Sequence, residues 1–127
     1  MSRVVLDASA VLALLQDEPG ASEVERHLGQ AVISTVNWAE VAGALAARGL
    51  PPAPVRVAVE ALGIDVEPFD VEAADETGSL WTATRDKGIS LADRACLAVG
   101  RVLELPVVTA DRDWLELDVG VDVRCIR

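Results

Sequence analysis

Four acidic side chains stand where chemistry could use them: Asp7, Glu40, Asp93 and Asp111. Asp7 ends the apolar run Val4-Val5-Leu6, and Asp111 lies just beyond the run closed by Val107-Val108-Thr109. Glu40 and Asp93 fall within the first turn or so of two helical patterns. Carboxylates brought together raise one another's pKa and oppose folding. A divalent cation removes that conflict. Mg²⁺, with Mn²⁺ as a substitute, takes oxygen ligands, keeps several waters and uses few carboxylates directly. Beside a phosphodiester such an ion neutralises charge, lowers the pKa of an attacking water and stabilises the leaving oxygen. The chain has no GxxxxGK[ST] loop, no GxGxxG and no GxSxG elbow, and its one histidine, His27, sits in the polar part of a helical segment.

Each acid also has a plain structural role open to it. Asp7 is a favoured residue type for capping the next helix. Ser90-x-x-Asp93 has capping-box spacing, Glu40 suits a solvated helix face, and Asp111 suits a local turn. Asp113 reads as structural or supporting rather than as a ligand. Ser9 and Thr109 either satisfy backbone groups or hydrogen-bond the acids, and Asn37 shares a helix face with Glu40.

The elements that would position these residues alternate. Short apolar strands are expected at 4–6, 31–34, 64–69, 105–109 and 121–126, the third with the alternation of an edge strand. Helices are expected between them: 8–15, 21–28, 35–48, 55–62, one long helix over 71–86 with Ala74, Leu80, Trp81 and Thr84 toward the core, and 91–103 opened by Ser90. This order predicts an α/β fold, a mostly parallel sheet of about five strands with helices on both faces. Ligands of such sheets bind beyond the carboxyl ends of the strands. Those are the ends at which the four acids fall.

With 127 residues and no linker, repeat or low-complexity tract, residues 1–127 read as one domain. The 51% apolar content supports a packed core, and no run is long enough to span a bilayer. Met1-Ser2-Arg3 leads straight into the first strand, leaving no room for a leader, so a cytoplasmic protein is expected. Cys96 and Cys125, without CxxC or a Cys/His cluster, read as buried free thiols and argue against a zinc site. The net charge of −10 argues against unspecific affinity for nucleic acid or anionic membranes. The acid-rich stretch 60–76 reads as a solvated face.

Four patches, taken in order, resemble a known family. They are Val4-Val5-Leu6-Asp7-Ala8-Ser9, Asn37-Trp38-Ala39-Glu40, Ser90-Leu91-Ala92-Asp93-Arg94-Ala95-Cys96-Leu97-Ala98 and Val107-Val108-Thr109-Ala110-Asp111-Arg112-Asp113-Trp114. Their order and spacing resemble the PIN-domain ribonucleases, specifically the VapC toxins of type II toxin–antitoxin pairs, across essentially the whole chain. The resemblance implies a metal-dependent endoribonuclease whose catalytic and metal-binding quartet is Asp7, Glu40, Asp93 and Asp111. Asp7 and Asp93 match direct Mg²⁺ ligands, with Asp111 and Glu40 completing the site directly or through water. Ser9, Asn37 and Thr109 match supporting positions. It further implies an RNA substrate of the tRNA or rRNA class, a VapB-type antitoxin, a homodimer, and contact with DNA only through the antitoxin.

Discounting the four acids still leaves the chain strongly negative, so RNA must be met by the metal and by local bases such as Arg94, Arg112, Arg85 or Lys87. Trp38 and Trp81 read as core at helical spacing, which leaves Trp114 as the candidate stacking platform. Rival readings are a nuclease of RNA or DNA processing rather than a toxin, a non-catalytic antitoxin-binding module, and a haloacid-dehalogenase-like phosphatase. The last would need a second Asp where Ser9 stands.

Overall fold

The apolar runs that read as strands pair in one sheet. In a computed structural model that describes residues 3–127, β1 (Val4–Leu6), β2 (Ala31–Ser34), β3 (Ile64–Glu67), β4 (Val107–Thr109) and β5 (Val123–Cys125) line up as β3-β2-β1-β4-β5. Every neighbouring pair is parallel. Met1 and Ser2, on which the expectation about a leader rests, lie outside the described residues.

A parallel sheet needs apolar cover on both faces, and the two-residue alternation of side chains divides the core accordingly. Val4, Leu6, Ile33, Ile64 and Val108 face α1 (Ala8–Leu15), α2 (Ala21–Glu25), α3 (Thr35–Ala47) and α4 (Pro52–Ala61) through Val11, Val24, Val41, Leu45 and Val59. Val5, Val32 and Val107 face α5 (Val71–Ser79) and α7 (Leu91–Leu103) through Ala73, Cys96 and Leu97, together with Leu80 and Trp114. Each such buried Val or Leu contributes roughly 1.5–3 kcal/mol. Among the described residues, no helix is long and apolar enough to cross a membrane.

The strand order reverses between β1 and β4. The chain steps outward from β1 to β2 and β3, then returns through α5 and α7 to lay β4 against the other side of β1. Ligands of open α/β sheets bind at such a switch point, in the crevice outside the carboxyl ends. Gly100 sets how closely α7 can approach: a Cβ there would lie 2.5 Å from Val107 Cγ2.

The expected helix over 71–86 is instead two. α5 ends at Ser79 and is succeeded by a short α6 (Trp81–Thr84). Thr77-Gly78-Ser79 are weak helix formers, and the Thr77 and Ser79 hydroxyls bond back to the carbonyls of Ala73 and Asp75. The break re-aims the residues on either side of it. Leu80 and Thr84 are buried as expected, but Ala74 is exposed, with Ala73 and Thr77 taking the inward face. Trp81, expected in the core, is 51% exposed and carries the Arg85 guanidinium over its ring at 5.4 Å. The helix expected over 21–28 stops at Glu25, and the last two strands are shorter than the apolar runs that signalled them. Cys96 is a buried free thiol as expected, whereas Cys125 is only half-buried.

Candidate metal centre and active site

Asp7 is the floor of the site. Leaving β1 at the switch point, it is 5% exposed and caps α1 by accepting from the Ala10 amide at 3.0 Å. Its carboxylate also accepts from the Ser9 hydroxyl at 2.6 Å and the Thr109 hydroxyl at 2.9 Å. Those hydroxyls are themselves polarised. The Ala110 amide donates to Ser9 Oγ at 2.9 Å, and the Asp111 amide donates to Thr109 Oγ1 at 3.0 Å. Two successive amides at the end of β4 thus relay through two hydroxyls to one carboxylate, an arrangement in which each bond strengthens the next. Burial still outweighs these donors. It lifts Asp7 from 3.8 to about 6, the three hydrogen bonds opposing it and the Asp93 charge adding to it.

The other three acids form the rim. Asp93 sits in a completed capping box: Ser90 Oγ accepts from the Asp93 amide at 3.0 Å, and Asp93 Oδ2 accepts from the Ser90 amide at 3.2 Å. Asp111 caps the 3-10 helix Arg112–Glu116, its Oδ1 accepting from the Asp113 amide at 2.9 Å. Glu40, on the exposed side of α3, accepts from Asn37 Nδ2 at 2.9 Å. The same Asn37 amide donates to the Ala92 carbonyl at 3.0 Å, which ties α3 to the start of α7. Ser34 caps α3 and donates its hydroxyl to Asn37 Oδ1, so two polar residues, spaced by three, steer Glu40.

The structural roles open to Asp7, Asp93 and Asp111 are all taken up, and the four acids still share one surface. Asp7, Glu40, Asp93 and Asp111 line one cleft of about 320 Å³, together with Ala8, Ser9, Leu12 and Trp114. Each rim contact engages one carboxylate oxygen, which leaves a second for a ligand. No group of three or more Asp, Glu, His or Cys side chains that could hold a metal ion occurs among the described residues. Mg²⁺ is ordinarily held by one or two carboxylates and its own waters. The donors are oxygen only, as Mg²⁺ and Mn²⁺ prefer. The acids also act together on Cys96, whose thiol is pushed well up by burial and then by Asp7, Asp93 and Glu40.

Of the residues expected to support the site, Ser9 and Thr109 donate to Asp7, and Asn37 donates to Glu40. Asp113 is exposed and serves Asp111 through its backbone. Trp114 is not an exposed platform. It is 1% exposed because the 3-10 helix turns its ring onto the α7 side of the core, and its indole N–H finds no partner among the described residues. Arg94 is half-buried with Nε donating to Thr84 Oγ1 at 2.9 Å, whereas Arg112 is exposed and donates to the Arg127 carbonyl. The reading from sequence missed the bond from Ser34 to Asn37 and the place of Leu12 in the cleft wall. The Ser-x-x-Asn-x-x-Glu spacing of 34, 37 and 40 was the available signal for the first.

Fold and site define a class: an α/β protein with an oxygen-lined acidic cleft at the switch point of a parallel sheet. The chain belongs to the PIN-domain family, whose model matches residues 4–120. No curated protein sequence matches it. Among solved structures it is similar to a toxin–antitoxin complex from Klebsiella pneumoniae, with a TM-score of 0.76 and 17% identity over 98% of both chains. DNA-bound VapBC from Salmonella typhimurium gives a TM-score of 0.75 and 20% identity over the whole of both chains. VapC20 of Mycobacterium tuberculosis, a sarcin–ricin-loop-cleaving toxin, gives 0.68 and 17% over 88% of this chain and 92% of that one.

Proposed function

We propose that this protein is a metal-dependent endoribonuclease and the toxin of a VapBC-type pair. The observation that carries the reading is the convergence of Asp7, Glu40, Asp93 and Asp111 on one cleft of a PIN fold. The sarcin–ricin-loop cleavage by VapC20 and the VapBC complexes among the similar structures support it. On this reading residues 1–127 act as one nuclease domain in the cytoplasm, pair as a homodimer, and meet DNA only through a VapB-type antitoxin.

Asp7 and Asp93 would hold Mg²⁺ or Mn²⁺ directly, with Asp111 and Glu40 completing the site directly or through water. When bound, the ion would neutralise the scissile phosphate and make an attacking water acidic. The chain's own residues do the rest. Ser9 and Thr109 fix both oxygens of Asp7, so that carboxylate needs no reorganisation at the moment of reaction. Asp111 and Glu40 stand on the rim to orient a water in line with phosphorus, Glu40 held to its post by Asn37. Leu12 and Trp114 supply apolar wall, which strengthens electrostatic contacts inside the cleft.

Incubation with total tRNA and rRNA tests the proposal. Cleavage with Mg²⁺ or Mn²⁺, abolished by EDTA and reduced about 1,000-fold in Asp7→Asn, is the expected result, equivalent to about 4 kcal/mol of transition-state stabilisation. Induced expression should arrest growth with the wild type and not with Asp7→Asn. A protein that leaves every RNA intact with either ion, or an Asp7→Asn variant that cuts and arrests growth equally well, ends the proposal.

A further inference from the structure

We infer that an arginine-lined groove beside the acidic cleft holds the phosphate backbone of the RNA strand. The inference rests on the RNA reading above and names where that strand is gripped. The groove, of about 760 Å³, runs between α2 and the 3-10 helix over the β4–β5 side of the sheet. Arg26, Arg112, Arg124 and Arg127 line it, with Val108 and Ile126 also in its lining. A chain of net charge −10 thus gathers four of its eleven Lys and Arg in one place.

Acids are close by. Glu23 pairs with Arg26 at 3.0 Å, Asp122 with Arg124 at 3.1 Å, and Glu18 lies 3.9 Å from Arg127. Such pairs are exposed and weakly held. A guanidinium has five N–H donors in a planar fork, so a phosphate can still be taken by the donors these contacts leave over. Two of the heads are also steadied in advance: Arg112 Nη1 donates to the Arg127 carbonyl at 3.2 Å, and Arg127 Nη1 to the Pro19 carbonyl at 2.8 Å.

What favours an RNA strand over an acidic peptide is the shared wall. The 3-10 helix presents Trp114 to the cleft and Arg112 and Leu115 to the groove, and Asp111, which caps it, lines the cleft. A cleft lined by four carboxylates repels a polyanion, so a phosphodiester drawn into it needs a positive anchor within reach. Arg112 is one residue from Asp111 and supplies the near end of that anchor.

Fluorescence anisotropy of a labelled single-stranded RNA, titrated with the full chain in EDTA at several salt concentrations, tests the inference without cleavage. Arg26→Gln/Arg124→Gln is compared with Arg56→Gln/Arg101→Gln, which removes the same charge elsewhere; each of the four side chains is at least 41% exposed, and melting curves confirm folding. Four phosphate contacts predict a log–log salt slope of roughly −3, and the groove pair should make it shallower by about 1.4 with about tenfold weaker binding at low salt. The control pair should keep nearly the wild-type slope. Equal losses in both pairs, no saturable binding by the wild type, or groove-dependent capture of poly-glutamate without groove-dependent RNA binding would overturn the inference. Cleavage assays keep the two claims apart. A wild type that binds RNA through the groove yet never cuts it sinks only the nuclease reading, and one that cuts RNA with an indifferent groove sinks only this one.

Discussion

The floor of the acidic cleft and its rim use the same kind of side chain under opposite conditions. Asp7 is enclosed, and its three side-chain hydrogen bonds do not make up for lost water, so burial leaves it at about 6. Asp111 caps its 3-10 helix from an exposed position, and Asp93, half-buried, completes the capping box of Ser90. The cost of lost water falls on Asp7, the one buried member of the four. A cation bound at the floor would relieve the strain where it is greatest.

The largest expected effect is on pH-dependent stability. A carboxyl whose pKa rises on folding holds its proton more tightly in the folded chain, so folding is favoured by acid. Metal-free stability should fall as pH rises from 3.8 to about 6 and then level, with a total loss from Asp7 of about 3 kcal/mol. Urea melts in EDTA across this window should show the fall in wild type relative to Asp7→Asn, which keeps a helix-capping side chain and should be the more stable protein at pH 7. If Asp93→Asn is stabilised as much, floor and rim are alike and the contrast fails.

Thr109→Val sharpens the contrast from the side of the hydrogen bonds. It removes a donor from Asp7 and an acceptor from the Asp111 amide, and should cost about 1–3 kcal/mol at pH 7. The pH window measured for Asp7 should move upward, because burial would then be opposed by one donor fewer. The smallest effect belongs to the rim: Asp93→Ala opens half of the capping box and should cost about 1 kcal/mol. A thermal melt series resolves it.

Much of this was open to reading in the sequence. Strands that are buried on both faces show as short apolar runs, and an acid directly after such a run, as at Asp7, or just beyond it, as at Asp111, marks a carboxyl edge. Ser90-x-x-Asp93 announced its capping box through spacing alone. Periodicity failed where chain direction is set by something weaker than an apolar stripe. A single helix over 71–86 places Trp81 inward, but the hydroxyl-to-carbonyl bonds around Gly78 end the helix early and turn that ring to solvent. Trp114, amid charged neighbours, gave no sign that one turn of 3-10 helix would bury it. The groove arginines at 26, 112, 124 and 127 come from three distant segments, and only the sheet order brings them together.

The enclosure of Asp7 also bears on how this protein would decay under mutation. For most residues in a packed interior, losing function and losing fold go together, so defective variants are also poorly folded ones. On the proposed reading position 7 breaks that link: Asn there would silence the cleft while making the empty protein sturdier. In a lineage released from selection for activity, replacements should accumulate at this position ahead of Asp93, and the relics should be well-folded, persistent proteins that still present an intact outer surface to any binding partner.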